Sequence, residues 1–100
     1  FQVIKRDGVL AAFCLDKISG AIVKAFNATQ VQFNDDIVGL LALRVTADIQ
    51  GKIKEGKVHV EDIQDSVEKV LEQAGYAESA KAFILYRKQR ENSRLQGCSG

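Results

Sequence analysis

The sequence predicts a mainly α, α+β domain in which an N-terminal two-stranded β-hairpin caps a four-helix bundle. Residues 1–13 read as two short strands around an Asp-Gly turn signal. The rest of the chain holds four segments whose apolar residues recur every three or four positions, which is the spacing of amphipathic helices. Because two strands alone are only marginally stable, the helices must cover one face of the hairpin.

The hairpin is predicted from FQVIKR and VLAAF, on either side of Asp7-Gly8. Val3 and Lys5 share one face of the first strand, since side chains alternate along a strand. A type I′ turn needs positive φ at both central residues, which Gly accepts freely and Asp tolerates, so Asp7-Gly8 predicts that turn. The cations Lys5 and Arg6 therefore lie beside it.

The four helices are predicted over residues 15–28, 34–53, 61–75 and 76–94, the last fraying near Asn92. Asn34 is a plausible cap of the second helix, whose apolar stripe includes Leu40 and Leu41. Gly75 offers a C-terminal stop for the third helix. Residues 54–60, which contain His59, break the helical period and are predicted as a loop, where His59 is solvated.

Composition limits the class of function. One hundred residues with 46% apolar and 27% charged residues suit one soluble domain, and 14 Lys and Arg against 13 Asp and Glu give a net charge of +1. Such a balance does not recruit nucleic acid or a membrane surface, so any anion site must be local. No apolar run is long enough to span a bilayer.

Cysteine usage argues against a zinc site and for a reducing cytoplasm. Cys14 and Cys98 are far apart in the sequence and show no CxxC spacing, and the chain has one histidine as a further candidate zinc ligand. Cys14 is predicted to be a small buried filler.

Cations gather around the junction of the hairpin and the first helix: Lys5, Arg6, Lys17 and Lys24. Phosphates would suit a cleft there, because Lys offers a point charge, Arg a planar fork of donors, and a helix N-terminus free N–H groups. From pattern alone, a solvated charged face explains the same residues.

The stretch VIKRDGVLAAFCLDKISGAIVKAF, residues 3–26, resembles the opening of the ATP-cone, whose signature runs V-x-K-R-D/N-G and continues to K-I and an apolar helix. VHVEDIQDSVEKVLEQAGYAESAKAFILYRKQR, residues 58–90, resembles the family's last two helices. The resemblance covers nearly all of residues 2–92. It implies a domain over residues 1–94 that binds ATP or dATP. Mg²⁺ is expected because it accompanies triphosphates, and residues 95–100 are expected to be a tail or linker.

The resemblance also implies a set of nucleotide-binding residues. Val3 and Ile18 would wall the base pocket, while Lys5 and Arg6 would hold phosphates. Lys17 would reach toward the nucleotide, and Lys88 would close the phosphate clamp with Arg87 nearby. Val60 and Asp62 would line the far side of the site. The full set is Val3, Lys5, Arg6, Asp7, Gly8, Cys14, Lys17, Ile18, Ala21, Val60, Asp62, Arg87 and Lys88.

Two positions depart from the family pattern. Many ATP-cones have Glu where this chain has Ala11, and Asp or Asn where it has Cys14. A thiol is a weak hydrogen-bond partner, so backbone groups of the second strand are expected to make more of the hydrogen bonds that recognise the base.

The function implied is allosteric control of the overall activity of a ribonucleotide reductase, the oxidoreductase that supplies deoxyribonucleotides for DNA replication. The domain itself would be non-catalytic, since radical reduction needs a large barrel with catalytic cysteines. The anaerobic ribonucleoside-triphosphate reductase is the favoured parent. Expected partners are the rest of that catalytic subunit and other subunits joined by nucleotide-dependent oligomerisation, with no membrane or nucleic acid, in the cytoplasm.

Two alternatives stay open. One is the ATP-cone of the bacterial transcriptional repressor of reductase genes, which follows a zinc ribbon. The other is a small helical interaction domain that binds no nucleotide and in which the K-R-D-G hairpin is accidental.

Overall fold

The computed structural model describes the backbone of residues 1–97 and the side chains of residues 1–88. Its elements in chain order are β1 (Gln2–Ile4), β2 (Leu10–Ala12), α1 (Leu15–Ala28), α2 (Asp35–Ile49), a short 3-10 helix (Gln50–Lys52), β3 (Lys57–His59), α3 (Val60–Gln73) and α4 (Ala77–Gly97). Each α-helix packs against the next, and α4 packs back against α1. The predicted α+β class, with a hairpin on a four-helix bundle, is confirmed.

The hairpin has the predicted register but a different turn. Val3 of β1 pairs with Ala11 of the antiparallel β2. Gly8 has a φ of +84°, whereas Asp7 is not in the left-handed region, and the Gly8 N–H donates to the Lys5 carbonyl at 2.9 Å. This is a three-residue loop with one left-handed glycine, so the prediction of a type I′ turn was wrong. The Asp7 carboxylate accepts from the Val9 N–H at 3.1 Å, which holds Asp7 in a local turn without positive φ.

A third strand lies where the sequence predicted a loop. β3 runs parallel to β1, with Val58 opposite Val3, and gives the strand order β2-β1-β3. A two-residue turn at Glu55-Gly56, with φ of +54° and +73°, precedes it and has the type I′ pattern of positive φ at both residues. His59 therefore belongs to a strand, although its side chain is exposed as expected. β1 is thus the central strand of the sheet.

The first two helices begin where the sequence predicts, but α2 ends at Ile49 rather than at residue 53, and the chain continues as the 3-10 helix. α1 has the predicted bounds, and the Asn34 side chain caps α2 by accepting from the Ile37 N–H at 2.9 Å. Leu40 was placed in the apolar stripe of α2 but is 59% exposed. The buried stripe instead passes through Leu41, Val45 and Ile49, four residues apart, and Leu40 lies about 100° around the helix from Leu41.

The last helix is longer than predicted. Gly75, with a φ of +92°, separates α3 from α4 as expected. α4 then continues past Asn92 to Gly97. Residues 91–96 contain neither Gly nor Pro and include good helix formers, so nothing in their sequence stops the helix. The predicted tail over 95–100 thus begins inside α4, and its last three residues lie outside the described part of the chain.

The core lies between all four helices and one side of the sheet. Its buried apolar residues are Ile18, Ile22, Ala25, Phe26, Val38, Leu41, Ala42, Val45, Ile49, Val58, Ile63, Val67, Val70, Leu71, Ala80 and Phe83. Two hydroxyl side chains are also fully buried, and both are paired: Ser79 with Thr29 and Ser66 with Asp48. None of the helices within residues 1–97 has the length and apolar character needed to cross a bilayer.

Candidate functional site

A cleft of about 510 Å³ opens between the hairpin and the helices α1, α3 and α4. The hairpin supplies its upper wall, and α1 and α3 supply its sides. Its lining residues are Val3, Lys5, Arg6, Ala11, Ala12, Phe13, Cys14, Lys17, Ile18, Gly20, Ala21, Lys24, Val60, Ile63, Gln64, Val67, Phe83, Tyr86 and Arg87.

Most of the predicted site residues meet in this cleft. Nine of the thirteen line it: Val3, Lys5, Arg6, Cys14, Lys17, Ile18, Ala21, Val60 and Arg87. Residues that are far apart in the chain are therefore brought together, because α1 packs against α4, α4 packs against α3, and β1 pairs with β3, which leads directly into α3.

Four predicted residues are not among the lining residues. Asp7 and Gly8 form the hairpin turn, where they shape the backbone. Asp62 points its backbone carbonyl at the Lys52 ammonium group, 3.3 Å away. Lys88 is exposed, and lies about 100° around α4 from Arg87, which does line the cleft.

Cys14 does not have the predicted environment. It is exposed and lines the cleft, so the prediction of a small buried filler was wrong. The physical reason is its position at the N-cap of α1, where the chain leaves the sheet and turns into the helix. Its side chain makes no capping hydrogen bond to the backbone of α1.

Arg6 spans from the hairpin to the start of α3. Its Nη1 donates to Glu61 Oε1 at 3.2 Å and its Nη2 donates to Gln64 Oε1 at 3.1 Å. Glu61 and Gln64 are one helical turn apart, so both ends of the guanidinium group are held by the same face of α3. The Arg6 side chain is 23% exposed and remains at the edge of the cleft.

Lys5 and Lys17 are the two cleft cations closest to the junction of the hairpin and α1 that have no carboxylate partner among the described side chains. Lys5 directly follows β1, and Lys17 lies in the first turn of α1. Within the described side chains neither ammonium group makes an ion pair, in contrast to Arg6. The two lysines can therefore accept an anion without first losing a carboxylate partner.

Arg87 enters the cleft from α4 while bound to two carboxylates of α3. It donates to Asp65 at 3.1 Å and also to Glu68, and its side chain is 18% exposed. Burial lowers the pKa of Arg87, but the hydrogen bonds to Glu68 and Asp65 outweigh burial and raise its pKa above the ordinary value. Arg87 is thus a permanent cation whose charge already has partners.

The cleft also has polar and apolar lining that sequence reasoning missed. Gln64 and Tyr86 lie outside the predicted set of site residues but line the cleft, and Lys24 donates to the Tyr86 hydroxyl at 3.1 Å. The helical spacing of Val60, Gln64 and Val67 could have indicated one shared face of α3. Small apolar side chains of β2 and α1, among them Ala11 and Ala21, form an uncharged wall.

The chemistry of the cleft is that of an anion site beside an apolar wall. Lysine and arginine side chains line the cleft together with apolar side chains, both aliphatic and aromatic. Among the described residues no group of three or more His, Cys, Asp and Glu side chains is placed to hold a metal ion. The arrangement suits a ligand that carries several negative charges and a flat or apolar group.

Comparison with known proteins gives the same family as the sequence motif. The family model of the ATP cone domain matches residues 1–92. The chain is 41% identical over 99 residues to the ribonucleoside-diphosphate reductase subunit alpha of Chlamydia pneumoniae, covering 92% of this chain and 9% of that protein.

Two further relatives are reductases of other kinds. The vitamin B12-dependent ribonucleoside-diphosphate reductase of Mycobacterium tuberculosis strain CDC 1551 is 38% identical over 93% of this chain and 13% of its own length. The anaerobic ribonucleoside-triphosphate reductase of Escherichia coli K12 is 34% identical over 93% of this chain and 12% of its own length. The chain spans about a tenth of the length of these relatives. The match over residues 1–92 shows that this chain belongs to the ATP-cone family.

Proposed function

We propose that this chain is an allosteric ATP- or dATP-binding domain that controls the overall activity of a ribonucleotide reductase. The observation that carries the proposal is the convergence of Lys5, Arg6 and Lys17 on one cleft with an apolar wall. The three cations come from the hairpin and from the start of α1, and they match the charge of a triphosphate. The apolar wall offers a surface for the base.

The proposed contacts divide the cleft into two parts. Lys5, Arg6 and Lys17 bind phosphate oxygens, and the cationic Arg87 adds to the positive potential. The base lies toward Val3 and the small residues of β2 and α1, where backbone groups supply the hydrogen bonds. Mg²⁺ arrives with the triphosphate, because divalent magnesium is usually bound through phosphates and a few carboxylates.

The kind of protein that contains this domain is proposed from the relatives. The three named above are reductases, which favours a reductase catalytic subunit over the transcriptional repressor. They differ in the kind of reductase, so the proposal is a ribonucleotide reductase in general, acting in the cytoplasm on ribonucleotides. The domain supplies the regulation and not the radical chemistry.

The switch is proposed to act through packing of the domain against neighbouring subunits. ATP and dATP differ by one hydroxyl group, and one neutral hydrogen bond contributes about 0.5–1.5 kcal/mol, or roughly tenfold at best. A change in the position of the bound ribose could alter a subunit interface. Association of subunits through that interface would then amplify the small difference in free energy. Sedimentation of the full-length parent at saturating ATP and at saturating dATP tests this, because identical profiles would refute it.

Calorimetric titration of the chain with ATP and Mg²⁺ tests nucleotide binding itself. Lys5→Ala and Arg6→Ala should each weaken binding by about tenfold or more, since a hydrogen bond to a charged group contributes about 1.5–3 kcal/mol. Lys81→Ala is the matched control, because Lys81 lies on α4 outside the cleft and its side chain is 72% exposed. No detectable binding by any of the four proteins would favour the helical interaction domain, and equal affinities would mean that ATP binds without Lys5 and Arg6.

A further inference from the structure

The contact between Arg6 and Glu61 has the same chemistry as the contact that a phosphate would make. An anionic oxygen of Glu61 accepts from Nη1 of Arg6 at 3.2 Å. Carboxylate and phosphate oxygens both bind the guanidinium fork through charge-assisted hydrogen bonds. A phosphate that approaches Arg6 from the cleft therefore meets a guanidinium group that already has an anionic partner.

Glu61 differs in this respect from Gln64, which also binds Arg6. Gln64 is neutral, so its amide oxygen can stay on Nη2 without repelling a phosphate. Glu61 carries a full negative charge at the edge of the proposed phosphate site. Of the two residues, only Glu61 both occupies Arg6 and opposes the charge of the incoming ligand.

Glu61 can release Arg6 at small cost. Its side chain is 60% exposed, so water solvates the carboxylate when the ion pair opens. It also lies in the first turn of α3, where the helix dipole stabilises a negative side chain. The pair therefore lowers ligand affinity by a modest factor and does not block the site.

We propose that Glu61 is a built-in competitor of the nucleotide phosphates for Arg6. This inference rests on the proposed function, because it assumes that Arg6 binds a phosphate. It assigns Glu61, which is outside the predicted set of site residues, a role in setting the nucleotide affinity of the domain.

The test is a calorimetric titration of Glu61→Gln with ATP and Mg²⁺ at low ionic strength. The substitution removes the competing charge and keeps the length of the side chain. Affinity should rise by about two- to fivefold, which is the range set by the strength of an exposed ion pair. The gain should shrink as salt is added, because salt screens exposed charges.

Glu72→Gln is the matched control. Glu72 is an exposed residue of the same helix, about 16 Å along its axis from Glu61, and the substitution removes the same charge. It should leave ATP affinity within the error of the measurement. An equal gain in both variants would mean that the overall charge of α3 matters and would overturn the specific role of Glu61.

A double substitution tests whether Glu61 acts through Arg6. The Arg6→Gln variant should bind ATP more weakly than the wild type. Adding Glu61→Gln to that variant should change its ATP affinity by less than about 1.5-fold, because the residue for which Glu61 and phosphate compete is absent. A gain as large as in the wild-type background would overturn the proposed route.

The outcomes separate this inference from the proposed function. Absence of ATP binding by the wild-type chain would overturn the proposed function. ATP binding that Glu61→Gln leaves unchanged or weakens would overturn only the inference, because Glu61 would then be neutral or would position Arg6 for the ligand. Thermal unfolding of each variant, monitored by circular dichroism, shows that the compared proteins are folded.

Discussion

The buried hydroxyl of Ser66 on α3 donates a 2.6 Å hydrogen bond to the carboxylate of Asp48 on α2. Two lysines also contact this pair: Lys52 Nζ lies 3.1 Å from Ser66 Oγ, and Lys69 Nζ lies 3.2 Å from Asp48 Oδ1. The bond from Ser66 is the main cause of a lowered pKa of Asp48, against which burial acts, and the two lysines lower it further. α2 and α3 are thus joined by a polar network as well as by the core.

This network predicts an acid-sensitive contribution to stability. Asp48 has a folded-state pKa below its ordinary value of 3.8, so its contribution is complete above that value and is lost as the pH falls through the folded-state pKa. Asp48→Asn should lower the free energy of unfolding by about 1–2 kcal/mol near neutral pH. Urea unfolding of both proteins at a series of pH values measures the difference, which should shrink below about pH 4. A constant difference across that range would contradict this assignment.

The ion pairs of Arg87 predict a stability effect of Glu68. The Glu68 side chain is 20% exposed and binds a guanidinium group that is 18% exposed, so its loss leaves Arg87 with Asp65 alone. Glu68→Gln should destabilise the domain by about 1 kcal/mol in urea unfolding. Glu72→Gln, on the exposed side of the same helix, should change stability by less than about 0.5 kcal/mol. Equal effects of the two substitutions would show that the Arg87 contact is not structural.

Alanine substitutions at two glycines should change the stability of the domain in opposite directions. Gly39 lies inside α2, and a Cβ there would meet no atom within 4 Å beyond its chain neighbours and the adjacent backbone of its own helix, so Gly39→Ala should stabilise the domain by about 1 kcal/mol through helix propensity. Gly75 has a φ of +92°, which an alanine adopts only with strain, so Gly75→Ala should destabilise it by about 1–2 kcal/mol. Thermal unfolding midpoints of the two variants measure both effects, and a shift of the same sign in each would refute the conformational explanation.

The helices could be predicted from the sequence because their apolar stripes are regular and their ends carry local signals. The bounds of α1 and the Asn34 cap follow from neighbouring residues alone. β3 could not be predicted in this way, since Lys57-Val58-His59 contains a single strongly apolar residue. Its strand conformation comes from pairing with β1, more than fifty residues earlier in the chain.

The same distinction applies to the cleft. Lys5, Arg6 and Lys17 lie close together in the sequence, and a family signature picks them out. The partners of Arg6 on α3 come from packing across the domain, and no local pattern indicates them. The exposure of Cys14 likewise depends on where the chain leaves the sheet, which apolar character alone does not reveal.

The most direct test of nucleotide binding in the cleft is to map amide chemical shifts of the isotopically labelled chain during titration with ATP and Mg²⁺. The proposed site predicts that the largest shifts fall at Lys5, Lys17, Val60 and Gln64, which line the cleft from three separate elements. Leu43, exposed on α2 away from the cleft, should not shift. Saturable shifts around Leu43 with an unchanged cleft, or no shifts at all, would contradict the account.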